Sequence, residues 1–270
     1  MKIITDLDSL RQWRESCQKK KLALIPTMGN LHAGHLKLVE EARRVADLSM
    51  VSIYVNPLQF GAGEDFRNYP RTLSRDLELC RQEKVEAVFI PEESLLFPSG
   101  RQNITKVQPA PSLENCLCGK SRPGHFVGVL TILIKLFNLI KPTVAIFGEK
   151  DYQQLKLVQK MVYDFDLELA IKAVETVRDE DGLALSSRNQ YLSPSERIQA
   201  LEISRTLQIA RDRLLGGEEL AKVMQDLHQP WFEYFEARDP ENLQSINDKP
   251  LRLLIAAKIG KARLIDNISI

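Results

Sequence analysis

The densest run of residues able to do chemistry is Pro26-Thr27-Met28-Gly29-Asn30-Leu31-His32-Ala33-Gly34-His35, directly after the apolar run Leu22–Thr27. A strand, a glycine-bearing turn and a helix start leave backbone N–H groups unpaired at the carboxyl edge of a sheet. Those groups and the helix dipole attract phosphate. His32 and His35 are three residues apart, so within one helical turn they share a face. Imidazoles there donate hydrogen bonds to a phosphoryl oxygen without a permanent buried charge. Gly34 has no Cβ, so a flat base or a ribose can press against the backbone. Three other readings compete. A dinucleotide fingerprint needs the G-x-G-x-x-G glycines, and a zincin-like metal site needs the glutamate and four-residue spacing of H-E-x-x-H. The third is two histidines that open a helix and do nothing more. Against it stands the context, because three of the four histidines, His125 included, lie in glycine-bearing turns.

Three further segments carry candidate groups. Phe147-Gly148-Glu149-Lys150-Asp151-Tyr152-Gln153-Gln154 follows the apolar run Val144–Phe147. Lys150 is a mobile cation suited to a triphosphate, and Gln154 can donate to or accept from a hydroxyl or carboxylate. Alone, this segment also fits a solvated loop opening a surface helix. Val177 to Asn189 contains Leu185-Ser186-Ser187-Arg188, whose hydroxyls, amides and guanidinium can meet charge on a leaving pyrophosphate. Such a segment suits a hinge-mounted lid, or simply a turn before the next helix. Tyr54 to Gly63 and Tyr69-Pro70-Arg71-Thr72 offer Asn56, Gln59 and Tyr69, neutral hydrogen-bonders fitted to a small polar substrate. Arg122-Pro123-Gly124-His125-Phe126 adds another polar edge.

The elements that must position these groups are legible as a rhythm. Apolar runs Leu22–Thr27, Met50–Asn56, Ala87–Pro91, Val144–Gly148 and Leu167–Val174 read as central strands covered on both faces. Amphipathic stretches such as Leu36–Leu48 and Leu73–Lys84 lie between them. This predicts an α/β fold with a Rossmann-like, doubly wound parallel sheet, its ligand beyond the carboxyl ends of the strands. After about Val177 the pattern changes. Ser193-Pro194-Ser195-Glu196 reads as a capping box opening a helix that runs to Leu215. A second helix over 218–228, strands at Trp231–Ala237, Leu251–Ile259 and Lys261–Ile268, and a turn at Gly260 follow. The expectation is a nucleotide-binding domain over 1–175 and a smaller α+β domain over 176–270.

Composition narrows the classes. At roughly 150 residues per domain, 270 residues suggest just under two domains. The 37 Lys and Arg against 36 Asp and Glu leave a net charge of +1, so no global field points to nucleic acid or acidic lipid. The apolar stretch Phe126–Ile134 ends at Lys135, short of the ~20 residues of a membrane span, and the N-terminus is acidic too early for a secretory signal. A cytoplasmic protein is expected. Four cysteines make no disulfide framework. Cys17 and Cys80 read as thiols on helices, and Cys116 and Cys118 as part of a loop, since a tetrahedral zinc site would need a second pair.

Jointly the segments resemble the pantoate–β-alanine ligase family, also called pantothenate synthetases, over nearly the whole chain. The motifs are P-T-M-G-x-L-H-x-G-H at 26–35, V-N-P-x-Q-F at 55–60, Y-P-R-T at 69–72, R-P-G-H-F at 122–126, F-G-x-K-D-x-Q-Q at 147–154 and S-S-R-N at 186–189. The resemblance implies ATP contacts at Met28, Gly29, Asn30, Leu31, His32, Ala33, Gly34 and His35. It implies others at Gly148, Glu149, Lys150, Asp151, Val177, Leu185, Ser186, Ser187 and Arg188. Gln59 and Gln154 would hold pantoate, Gln59 also lying near β-alanine. His35 would be the catalytic histidine, a proton donor, with His32, Lys150 and Arg188 stabilising phosphoryl charge. Leu185 stands where members often carry Met, another apolar contact. Some members of the family have an acidic residue that helps Mg²⁺; Asp76 is available for that place, but its neighbour is Arg75, so no metal ligand is assigned. The implied reaction is an AMP-forming carbon–nitrogen ligation. Pantoate attacks the α-phosphate of ATP, Mg-pyrophosphate leaves, and β-alanine attacks the pantoyl adenylate. A homodimer with a C-terminal lid, and no nucleic acid or membrane partner, completes the expectation. Two rivals stay open: a nucleotidyltransferase acting on a phosphorylated acceptor, and a nucleotide sensor that has kept the fold.

Overall fold

The apolar runs pair as parallel strands in a computed structural model that describes residues 1–270. The strands are β1 (Lys2–Ile4), β2 (Leu22–Thr27), β3 (Leu48–Ile53), β4 (Ala87–Phe89), β5 (Val144–Gly148) and β6 (Ala170–Val174). The sheet order is β1-β4-β3-β2-β5-β6, every pair parallel. Between the strands lie α1 (Leu7–Ser16), α2 (Ala33–Val45), α3 (Leu73–Gln82), α4 (Glu93–Leu96), α5 (Pro111–Glu114), α6 (Leu117–Ser121), α7 (His125–Ile140) and α8 (Tyr152–Asp164). From β2 the chain winds outward through β3 and β4, then returns to β5 on the other flank. The winding therefore reverses between β2 and β5, and the crevice beyond their carboxyl ends is where such sheets bind ligands.

The fold is the expected α/β class, with informative departures. β2 and β5 occupy the expected residues. β1 escapes a periodicity reading because three residues are too few to show one. Leu167–Val174 was expected to be a strand covered on both faces. It is instead the five-residue edge strand β6, with Ala170 and Lys172 exposed and the rest half-buried. Nothing pairs beyond it, and Lys172, 3.7 Å from Glu41, puts a charge on that edge, a common block to further pairing. α2 buries Val39 and Ala42 against Ala23, Ile25, Val51 and Ile146 of the sheet. α7 is apolar nearly all round and buries ten of its 16 residues, as a core helix does. No helix of the chain is long and apolar enough to cross a membrane.

The chain groups into two compact units. The first holds the parallel sheet. The second comprises residues 110–121, 149–156 and 175–270. It contains α9 (Pro194–Leu215), α10 (Leu220–Leu227) and an antiparallel sheet of β7 (Phe232–Arg238), β8 (Arg252–Ile259) and β9 (Ala262–Ser269). The predicted capping box opens α9: the Ser193 hydroxyl accepts from the Glu196 amide, and the Glu196 carboxylate from the Ser193 amide. Leu253, Ile255 and Ala257 on one face of β8 join Ile203, Leu207 and Ala210 of α9 in the second core. Cys17, Cys80, Cys116 and Cys118 are all free thiols and buried. Cys116 and Cys118, expected in a loop, flank the start of the short helix α6, where the Cys118 sulfur lies 3.1 Å from the Tyr234 hydroxyl.

Candidate active site

Between β2 and α2 the backbone passes through two left-handed residues, Gly29 at φ 80° and Asn30 at φ 52°. A Cβ on Gly29 would lie 3.0 Å from Asp76 Oδ2 and 3.1 Å from Ile53 Cγ2, so both conformation and space require glycine. Asp76, 1 % exposed on α3, accepts the Asn30 amide at 2.9 Å and the Leu31 amide at 2.8 Å, and the Thr72 hydroxyl at 3.1 Å. Its carboxylate holds the turn. The charge is felt nearby: burial first, then Asp76, pushes the Cys80 thiol up to about 12.

α2 is capped by imidazole. The Gly34 amide donates to His32 Nδ1 at 3.2 Å, and the His32 amide donates to His35 Nδ1 at 3.3 Å. The two rings lie 4.1 Å apart. A backbone N–H can only donate, so each Nδ1 is an acceptor and the ring proton of each neutral imidazole sits on Nε2. The first turn of α2 therefore carries two imidazole Nε2–H donors on half-buried side chains, together with a helix N-terminus.

The loop after β3 meets this turn. Asn56, 1 % exposed, directs its amide inward, donating to Gln59 Oε1 at 3.0 Å and Gly128 O at 3.1 Å and accepting from the Leu58 amide. Gln59 Nε2 reaches Met28 Sδ at 3.2 Å. Gly128 of α7 lets the loop approach, since a Cβ there would sit 2.2 Å from Leu58 O. The Gln59 carbonyl accepts from His125 Nδ1 at 2.8 Å and Arg122 Nη2 at 3.3 Å. Arg122 Nη1 approaches His125 Nε2 at 2.9 Å, and because guanidinium only donates, His125 carries its proton on Nδ1. Arg122 also makes two 2.7 Å contacts with the Glu64 carboxylate. Burial raises the Glu64 carboxyl, but the Arg122 hydrogen bonds and charge outweigh it and hold it at about 2. Tyr69, 6 % exposed, packs its ring edge-on to Phe60 at 5.8 Å. The parallel-sheet unit thus brings together Met28, Gly29, Asn30, His32, His35, Asn56 and Gln59, with Leu31 buried beneath, Ala33 exposed, and Gly34 and Gly148 half-buried.

The second unit holds the other candidates. Glu149, Lys150 and Asp151 form a short helical turn, Gln154 is half-buried on α8, and Lys150 Nζ lies 3.9 Å from Asp151 Oδ2. Residues 177–185 form a hairpin: Leu185 donates to the Val177 carbonyl at 3.0 Å, and Gly182 makes the bend at φ 92°. Two arginines tie it down. Arg178 forms a bidentate pair with Asp266 (2.6 and 2.9 Å), and Arg197 pairs with Asp179 and Asp181. Ser186 caps the turn over Ser187–Tyr191, accepting from the Arg188 amide. Sequence reasoning named Asp76 only in connection with Mg²⁺, missing its hold on the turn, and gave Gln153 no role. Asp76 was visible as an acid four residues before Cys80 on a buried helical stripe. Gln153, 4 % exposed, donates to the Leu113 and Cys116 carbonyls and had no signal beyond its neighbour.

The family model described as pantoate-beta-alanine ligase matches residues 2–269. A pantothenate synthetase of Acidithiobacillus ferrooxidans is 48% identical over 278 aligned residues, covering 100% of both chains. Among solved structures, pantothenate synthetase from Thermus thermophilus superposes with TM-score 0.94 at 40% identity, covering 99% of each chain. Pantoate-beta-alanine ligase from Francisella tularensis, complexed with beta-gamma ATP and beta-alanine, superposes at 0.83 with 34% identity, covering 100% of this chain and 97% of its own.

Asp76→Asn keeps one acceptor oxygen for two buried amides and should destabilise the protein by about 1–3 kcal/mol in a denaturant titration. An unchanged midpoint would show that the carboxylate does not hold the turn. For Glu64, the folded-state value lies below the unfolded one, so its pairing stabilises fully above the ordinary carboxyl range and fades as pH falls toward about 2. The stability difference between wild type and Glu64→Gln should accordingly be constant around neutrality and shrink on acidification. A difference that grows on acidification would contradict this.

Proposed function

The chain belongs to the pantoate–β-alanine ligase family, and on that footing we propose how its residues join pantoate to β-alanine with cleavage of ATP. The observation that carries the reading is the Gly29–His35 turn, with two Nε2–H donors and a helix N-terminus at the carboxyl end of β2. A carboxylate and an amine do not condense in neutral water without activation. In the first step a pantoate carboxylate oxygen attacks the α-phosphorus, the bond to the bridging oxygen breaks, and pyrophosphate leaves with that bonding pair. Charge grows on the phosphoryl oxygens, where His32, His35, Lys150 and Arg188 donate, with His35 the principal donor. Gln59 and Gln154 orient pantoate by neutral hydrogen bonds, which leave its carboxylate nucleophilic. In the second step the uncharged amine of β-alanine attacks the acyl carbon, AMP departs, and the amine gives up a proton.

Magnesium enters this account with the nucleotide. The protein has no group of three or more His, Cys, Asp or Glu side chains placed to hold a metal ion, and both oxygens of Asp76 already accept backbone amides. We therefore assign Mg²⁺ to the triphosphate of the substrate and route no step through a protein ligand. Contacts with ATP as a whole are assigned to Met28–His35, Gly148–Asp151, Val177 and Leu185–Arg188. Residues 176–270 are proposed to act as a lid that keeps water from the anhydride. A cytoplasmic homodimer, as the resemblance implies, completes the proposal.

The test is isotope exchange. With ATP and pantoate alone, labelled pyrophosphate should enter ATP, and His35→Ala should slow that exchange by roughly 10²–10³, by analogy with the loss of one oxyanion donor. Exchange that requires β-alanine, or a folded His35→Ala enzyme of normal rate, would contradict the mechanism.

A further inference from the structure

The turn carrying Lys150 has little of its own to hold it. It is three residues long, and the 3.9 Å contact of Lys150 with the half-exposed Asp151 is too long for a hydrogen bond. What fixes it comes from the last two strands. Asn267 on β9 is 5 % exposed, and its Nδ2 donates to the Glu149 carbonyl at 2.9 Å and the Lys150 carbonyl at 3.0 Å. A carboxamide nitrogen has two hydrogens, so this one is fully used on the turn. Asn267 pairs with Leu254 in register, and Arg252 pairs with Ser269, so Arg252 and Asn267 project from the same face of the sheet. Arg252, 8 % exposed, donates from Nη2 to Glu149 Oε2 at 2.9 Å, and its guanidinium carbon stacks 3.7 Å from the Tyr152 ring centroid. The Tyr152 hydroxyl in turn donates to the Pro240 carbonyl at 2.8 Å. The neighbour of Asn267 works on the opposite face, where Asp266 holds Arg178 of the 177–185 hairpin.

We propose that Asn267, seconded by Arg252, is a positioning residue for Lys150, and that β9 thereby holds the Lys150 turn on one face and the 177–185 hairpin on the other. The proposal rests on the reading of Lys150 as a phosphate-handling cation. Neither residue touches substrate; each acts through the backbone or carboxylate of the turn. A displacement of about 1 Å in a catalytic group costs on the order of 10²-fold in rate, so loss of the clamp reads out as turnover.

The test is a double-mutant cycle on pyrophosphate exchange, with thermal unfolding followed in parallel. Asn267→Ala should lower exchange turnover by about tenfold to 10²-fold, with half-saturation by pantoate unchanged. Asn267→Asp, nearly isosteric, presents acceptors to two carbonyls and should lose more than alanine, whereas a side chain that merely filled space would tolerate it. In a Lys150→Ala background, neither substitution should lower turnover further by more than about twofold, because groups acting through one another are not additive. If Asn267→Ala fails to fold, Arg252→Met, which keeps a stacking stem and loses the Glu149 bond, is read in the same cycle. Additive losses, an Asn267→Asp enzyme of normal turnover, or a Lys150→Ala enzyme of normal turnover would overturn the proposal. No exchange in the unaltered enzyme would instead overturn the reading of the function on which it rests.

Discussion

The start of a helix leaves backbone N–H groups that must find acceptors, and in α2 two of them find imidazole nitrogen. Most N-caps use a hydroxyl or carboxylate oxygen, and either would satisfy the backbone. Imidazole does so with one ring nitrogen and leaves the other a donor. The reciprocal contact between His32 and His35 thus makes the helix cap and the chemical group the same side chains. Tautomer, ring orientation and position at the sheet edge follow from one backbone requirement.

That requirement is met only because the preceding turn is held. Gly29 and Asn30 take left-handed conformations, and the buried carboxylate of Asp76 receives the two amides that would otherwise be stranded. The same arrangement appears in the loop after β3, where Asn56, His125 and Arg122 direct their polar atoms to shaping the segment that carries Gln59. In the C-terminal unit, Asn267 and Arg252 do this for Lys150. At each place the group assigned to chemistry rests on a more deeply buried polar residue whose hydrogen bonds go to backbone or to a neighbouring side chain. Such polar atoms are costly when unpaired, so they tie the site to the core around it.

The parts legible in the sequence were those with a local signature. β2 and β5 stood out as short apolar runs, α9 as a capping box, and the histidine turn as glycine and imidazole at helical spacing. The edge position of β6 was not legible, because an apolar run says nothing of what pairs on its far side. β1 was too short for any period. Among site residues, Asp76 was read against its exposed neighbour Arg75 rather than against the buried stripe it shares with Cys80. Asn267 and Arg252 lie over 100 residues from the turn they hold, and such pairings are tertiary facts with no local period. The edge-on packing of the Tyr69 ring against Phe60 is likewise a tertiary fact with no local signal.

The central claim concerns protons: both histidines of the turn present Nε2–H because their Nδ1 atoms accept backbone amides. Nitrogen-15 NMR of the ligand-free protein, labelled at histidine and recorded on the alkaline side of neutrality, reads this directly. The account predicts that His32 and His35 are both neutral, with the ring proton on Nε2 and an unprotonated Nδ1. A proton on Nδ1 of either ring would contradict it.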